Sequence, residues 1–193
     1  MLMLEREVDV ATAGSGRFEP IGNSVMEIML REYFSHCRYL RNPSIEVSNN
    51  TDYFAKDSKI KGKGDFAILE CCYGSNSGHL NSAEFPICFN QLGYVIFAEA
   101  VSRQLLPELN MSTVKEFKEA QMNRCLILEE RRRFKRPIDS KNFHVEMSIE
   151  RSKVLHGLPF YFMNASFSDD KGGLAIGKVK IAILPKDHPH CLE

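Results

Sequence analysis

The most constraining feature of this chain is one segment, residues 81 to 103, whose apolar side chains keep to no single face. Phe85, Cys88, Phe89, Leu92, Val95, Ile96, Phe97, Ala100 and Val101 spread around nearly the whole circumference of a helical wheel. A helix that is apolar all round has no solvent face and must be enclosed by other elements. Its longest apolar stretch, 92–101, is interrupted by Glu99 and is about half the length of a membrane span, which points to a protein core. Asn81 with Glu84 three residues on predicts a cap at the helix start, and Pro86 leaves the first helical residue open.

The rest of the chain has to supply the enclosure. Ser24 and Glu27 have the spacing of a capping box, followed by Val25, Ile28, Met29 and Tyr33 on one face, predicting a helix that ends near His36. Residues 44–49 alternate like a half-buried strand, and a second strand is expected over 58–72. Gly62-Lys63-Gly64 within it reads only as a kink. After the polar loop Gly74–Gly78 and the enclosed helix, Thr113 and Glu116 start a smaller, more polar helix. Four strands then follow, over 125–134, 144–150, 160–167 and 174–184, joined by short polar turns. Alternating strands with short turns imply an antiparallel sheet. An antiparallel sheet wrapped around one central helix is an α+β architecture, the hot-dog fold in outline. Residues 19–186 are expected to form this single domain, with 1–18 as a loose arm and 187–193 as a tail whose last two residues resemble a cloning scar.

Charge and cysteine usage narrow the function. Lys plus Arg and Asp plus Glu both total 25, so no global excess attracts nucleic acid. The six cysteines form no C-x-x-C pair, and the N-terminus carries no long apolar run, so a reducing cytoplasmic location and no membrane span are expected. There is no P-loop, dinucleotide fingerprint or G-x-S-x-G elbow, so no cofactor is expected. His188-Pro189-His190-Cys191 is discounted as a metal site because it sits at a chain end.

One block is distinctive. Ser77-Gly78-His79-Leu80-Asn81-Ser82-Ala83-Glu84, followed by Cys88-Phe89-Asn90-Gln91-Leu92-Gly93-Tyr94, resembles the signature of FcoT-type thioesterases, G-H-F-N-x-x-E and then C-F-N-Q-L-x-Y. Cys37-Arg38-Tyr39-Leu40, Arg133-Phe134-Lys135-Arg136-Pro137 and Gly172-Gly173 match in order, so the likeness spans roughly residues 20 to 184. The resemblance implies a hot-dog enzyme acting on fatty acyl groups held on coenzyme A or an acyl carrier protein, and, as is usual for that fold, a homodimer. Some such proteins are described as long-chain acyl-CoA thioesterases. Others add glycine to a 2-enoyl-carrier thioester, a step toward isonitrile lipopeptides. The family's polar site residues fall by motif position on Tyr33, Tyr73, Asn81 and Asn90. The related hydroxyacyl-carrier dehydratases carry a helical glutamate where this chain has Asn90 and Gly93, which argues against dehydration.

Each candidate has a plainer role beside the chemical one. Asn90 either bonds a neighbouring strand or presents its amide to substrate; an unpaired amide in an apolar helix is penalised. Asn81 serves as a helix cap, a donor to a charged oxygen, or both. Tyr33 and Tyr73 are site hydroxyls or core rings. His79 is a proton-transfer group near neutrality or a structural loop residue. Gly78, Arg133, Lys135 and Arg136 are expected to contact substrate, the cations meeting a pantetheine phosphate or an acidic carrier surface. The alternative for the basic run is a charged edge strand. Glycine addition is the first reading, with no cation assigned to the glycine carboxylate. Thioester hydrolysis is the second, and a non-catalytic acyl-binding module the third.

Overall fold

The computed structural model describes residues 17–47, 60–186 and 188. Within them lie strands β1 (Arg17–Pro20), β2 (Leu40–Val47), β3 (Ile60–Phe66), β4 (Cys125–Arg136), β5 (Phe143–Leu155), β6 (Leu158–Ser168) and β7 (Leu174–Ile183). The α-helices are α1 (Asn23–Leu30), α2 (Glu84–Ser102) and α3 (Val114–Gln121). The strands make one sheet in the order β1-β2-β3-β5-β6-β7-β4, with every neighbouring pair antiparallel. The sheet curls around α2. This is the hot-dog arrangement, an α+β fold, as the enclosed helix required.

Alternation decides which face holds the helix. Val145, Met147 and Ile149 of β5 and Tyr161, Met163, Ala165 and Phe167 of β6 are buried, while Glu146, Arg151 and Lys153 are not. Thirteen of the 19 residues of α2 are buried, on all sides of the helix. Aromatic rings link the sheet to the start of α2. Phe66 stacks on Phe143 at 5.4 Å, Phe143 on Phe167 at 6.4 Å, and Phe167 on Phe85 at 4.1 Å, with Phe134 of β4 edge-on to Phe85 at 5.9 Å. Fully burying a phenylalanine stabilises by about 1.5–3 kcal/mol, so this ladder fixes the first turn of α2 firmly.

Glycines let the sheet come this close. A Cβ at Gly62 would overlap the Ile96 side chain, one at Gly64 would lie 2.5 Å from Leu40 Cδ1, and one at Gly177 2.6 Å from Phe85 Cζ. Gly62-Lys63-Gly64 is therefore more than a kink: it is where β3 presses on α2, a role that close packing demands.

Several local expectations are corrected. α1 begins after Gly22 without a side-chain cap, so the Ser24–Glu27 box does not form, and the helix stops at Leu30 rather than near His36. A 3-10 turn at Ser35–Cys37 follows, and Arg38 donates from Nε to the Tyr33 carbonyl and from its guanidinium to the carbonyl of Arg31, the C-cap residue, which ties down the chain just past the helix. β2 starts at Leu40, earlier than expected, and β3 ends at Phe66, after which 67–72 is irregular. Arg17 and Phe18, assigned to the arm, belong to β1. The rest of that arm, and the 187–193 tail apart from His188, lie outside the described residues. The Thr113–Glu116 box forms as expected.

Candidate functional site

The site is built at the N-terminal end of α2. The Asn81 side chain accepts from the backbone amides of Ala83 (2.9 Å) and Glu84 (3.3 Å), and Glu84 Oε2 accepts from the Asn81 amide at 3.2 Å. This is the reciprocal box expected from the sequence, set just ahead of the first helical residue. The cap fixes the amide's orientation. With Oδ1 committed to the helix, Nδ2 points the other way and donates to the Tyr73 hydroxyl at 2.6 Å. Burial raises the Tyr73 phenol above its ordinary value; the nearby Glu84 carboxylate and Cys71 add to this, and the Asn81 amide opposes it. The Tyr73 hydroxyl therefore keeps its proton while it accepts from Asn81. Asn81 acts as cap and donor at once.

The loop carrying Tyr73 is pinned by residues that sequence reasoning did not single out. Asn76 donates to the Ile68 carbonyl and accepts from the Gly78 amide (2.7 Å) and the Ser140 hydroxyl (3.0 Å). Gly78 has φ of +80° with open space where a Cβ would be, so glycine is needed there for its backbone conformation. The Tyr39 hydroxyl accepts from the Cys72 amide at 3.0 Å. An asparagine two residues before a glycine in a polar loop is the signal that would have marked Asn76.

His79 is exposed and forms an isolated bridge with Asp139. With Asn81, Phe134, Lys135 and Arg136 it lines a cavity of about 310 Å³. The structure thus brings together His79, Asn81, Lys135 and Arg136. Arg133 is not among them. It lines a separate cavity of about 520 Å³ on the sheet, with Phe18, Lys61, Asn164, Ile176 and Lys178. Position along β4 divides the basic residues: Arg131, Arg132 and Arg133 line the sheet cavity, and Lys135 and Arg136 line the one at His79. Arg132 also reaches the Ser82 carbonyl, pairs with Glu130 at 3.2 Å and lies over the Phe85 ring.

Asn90, two turns into α2, opens on a small cavity of about 30 Å³ with Gly93, Tyr94, Phe97, Leu126 and Ile127. No hydrogen bond from its amide to a neighbouring strand forms among the described residues. Gln91 beside it is fully buried. Its Oε1 accepts from the amides of Tyr39 (2.9 Å) and Leu40 (3.1 Å), and its Nε2 donates to the Cys37 carbonyl at 2.6 Å. The two sequence blocks Cys37–Leu40 and Cys88–Tyr94 are therefore stitched together by one glutamine. Tyr33 is half-buried near Tyr94 and Cys88, and burial, then those neighbours, raise its phenol well above the ordinary range. Among the described residues no side-chain hydrogen bond joins it to Tyr73 or Asn81.

The FcoT-like thioesterase domain model matches residues 28–183, which takes in every element from within α1 to the last residue of β7. The chain belongs to the FcoT-like thioesterase family. The family domain therefore contains both the Tyr73–Asn81 pair and the cavity at Asn90. The chain is similar to a protein of Mycobacterium marinum named (2E)-enoyl-[ACP] glycyltransferase, 30% identical over 85% of this chain and 87% of that one. A protein of the same name from Streptomyces coeruleorubidus is also 30% identical, over 81% and 93%. One from Mycobacterium tuberculosis is 28% identical, over 86% and 88%. Among the described residues, no helix of this FcoT-like protein is long and apolar enough to cross a membrane.

Proposed function

We propose that this chain adds glycine, through its amine, to the β-carbon of a 2-enoyl thioester on an acyl carrier protein. The observation that carries the reading is the Tyr73–Asn81 contact. It sets two neutral donors 2.6 Å apart at the start of the enclosed helix, one of them aimed by its own cap. The name shared by relatives that cover most of both chains supports it.

In the addition, the glycine nitrogen forms a bond to C3 of the enoyl group. The C2=C3 π pair shifts toward the carbonyl, and negative charge collects on the thioester oxygen as an enolate. The Tyr73 hydroxyl and the second Nδ2 hydrogen of Asn81 meet that oxygen, and the helix N-terminus adds partial positive charge. His79, in the same cavity as Asn81, takes a proton from the glycine ammonium, and C2 gains one, so the sum is balanced and the thioester stays intact. Lys135 and Arg136 hold the glycine carboxylate, and Gly78 shapes the loop beside them. Arg133, on its separate cavity, meets the acidic carrier surface. The acyl chain enters past Asn90 along α2, with Tyr33 flanking its path beside Tyr94. Five free cysteines among the described residues suit a reducing, cytoplasmic compartment.

A second copy of the chain completes the assembly. Among the described residues β4 is an edge strand, paired with β7 alone, and Leu126, Ile127 and Leu128 on it are 40–48% exposed beside the Asn90 cavity. An apolar edge of this length calls for a partner strand, and light scattering of the eluted protein tests for the dimer.

Hydrolysis of the thioester is the second reading, favoured by the thioesterase description of the family domain. The same donors would hold its tetrahedral oxyanion. Incubating the protein with a 2-enoyl-carrier thioester, with and without glycine, and weighing the carrier by mass spectrometry separates the two. A carrier heavier by one glycine is expected. Glycine-independent release of free carrier thiol would establish hydrolysis instead, and an unchanged, bound thioester would leave only an acyl-binding module.

A further inference from the structure

Tyr73 sits on an irregular, largely exposed loop and is itself 55% exposed, yet its hydroxyl must meet a developing charge within a few tenths of an ångström. A side chain so placed would ordinarily sample many positions, and ordering it costs conformational entropy. Something beneath the loop has to hold it.

Glu84 is in position to do so. Its side chain is fully buried, and among the described residues no Lys, Arg or His pairs with it. A buried carboxylate without a cation is costly and calls for an explanation. Oε2 accepts from the Asn81 amide at 3.2 Å, and Oε1 lies 2.7 Å from Sγ of Cys71, which is also buried. Both oxygens accept hydrogen bonds at the start of α2. Cys71 keeps its proton to donate, because burial, then the carboxylate itself, push its thiol up to about 11. Cys71 stands two residues before Tyr73, and the intervening Cys72 amide is tied to the Tyr39 hydroxyl at 3.0 Å.

The bonds close a ring. It runs from Cys71 to Glu84, from Glu84 to Asn81, from the Asn81 amide to the Tyr73 hydroxyl, and back along the chain to Cys71. We infer that Cys71 and Glu84 are positioning residues that set the separation of the Tyr73 and Asn81 donors, acting on the rate through that pair alone. The inference rests on the clamp reading above. The thiol touches no reacting atom and is neither nucleophile nor redox group here.

The test is a double-mutant cycle on glycine-adduct formation, with thermal melting to confirm that each variant is folded. Cys71→Ala is expected to lower kcat about 10- to 100-fold, as a displacement of about 1 Å does, with little change in KM for the carrier thioester. Cys71→Ser, which restores a donor to Oε1, should recover kcat to within about threefold of the parent. In a Tyr73→Phe background Cys71→Ala should have almost no further effect, because residues acting as a unit are not additive. Glu84→Gln, which puts a donor where one of two acceptors is needed, gives the same pattern and serves if Cys71→Ala fails to fold. Parental kcat in Cys71→Ala, or losses that multiply in the Tyr73→Phe background, would overturn the ring while leaving the clamp intact. Parental kcat in Tyr73→Phe itself would remove the clamp and the ring together.

Discussion

Replacing Gln91 by leucine should unfold this protein more readily than almost any other single change of equal volume. The side chain is fully buried and serves three backbone groups, the Tyr39 and Leu40 amides and the Cys37 carbonyl, at 2.9, 3.1 and 2.6 Å. Leucine fills the space, so no cavity contributes, but all three groups lose their partner. An unsatisfied buried donor or acceptor costs about 1–3 kcal/mol, and because two of the three share one oxygen the sum should settle near 3–5 kcal/mol. Against a typical total stability of about 5–15 kcal/mol this is a large fraction. At about 2–4 °C per kcal/mol for a chain of this size, Tm should fall by about 6–20 °C. Urea titration followed by circular dichroism measures it, with the slope m unchanged. Asn90→Ala, one residue away, should cost less than about 1 kcal/mol, since its amide bonds no strand, while adduct formation falls. A Gln91→Leu loss under about 1 kcal/mol at equal m would refute the claim that this glutamine stitches the two blocks together.

Asn81→Asp keeps the capping oxygen but removes the Nδ2 donor, so melting should barely move while kcat for adduct formation drops about 10²- to 10³-fold; a variant as active as the parent would discard Asn81 as a donor. Arg136→Ala and Lys135→Ala should raise KM for glycine more than KM for the carrier thioester, and steady-state titration of each substrate decides whether that cavity holds the carboxylate. Stability should also fall in acid for a traceable reason. Hydrogen bonds from the Asp139, Gly173 and Lys171 amides hold the Asp169 carboxyl below its ordinary value. A depressed folded value contributes stability that is whole above the unfolded value of about 3.9 and fades as pH drops through the folded one. The stability gap between parent and Asp169→Asn, read by urea unfolding, should therefore narrow from pH 7 to pH 3, and a gap that stays constant would contradict the assignment.

The sequence by itself determined the enclosed helix, because apolar side chains on every side of 81–103 permit no other placement, and it determined the alternating strands that enclose it. The cap at Asn81 and Glu84 was also readable, since it depends on residues three apart. The helix ending near His36 was not, because Arg38 and a 3-10 turn take over after Leu30, and propensity alone does not mark where such contacts win. Only the tertiary structure decided what meets across long separations. Gln91 reaches residues about 50 positions back, Arg133 is parted from Lys135 and Arg136 by its place on β4, and Glu84 finds Cys71 beneath the loop that holds Tyr73. A periodic pattern reports which face of an element is buried. It carries no record of which distant backbone amide or thiol will lie against that face, because that depends on how the whole sheet curls around the helix.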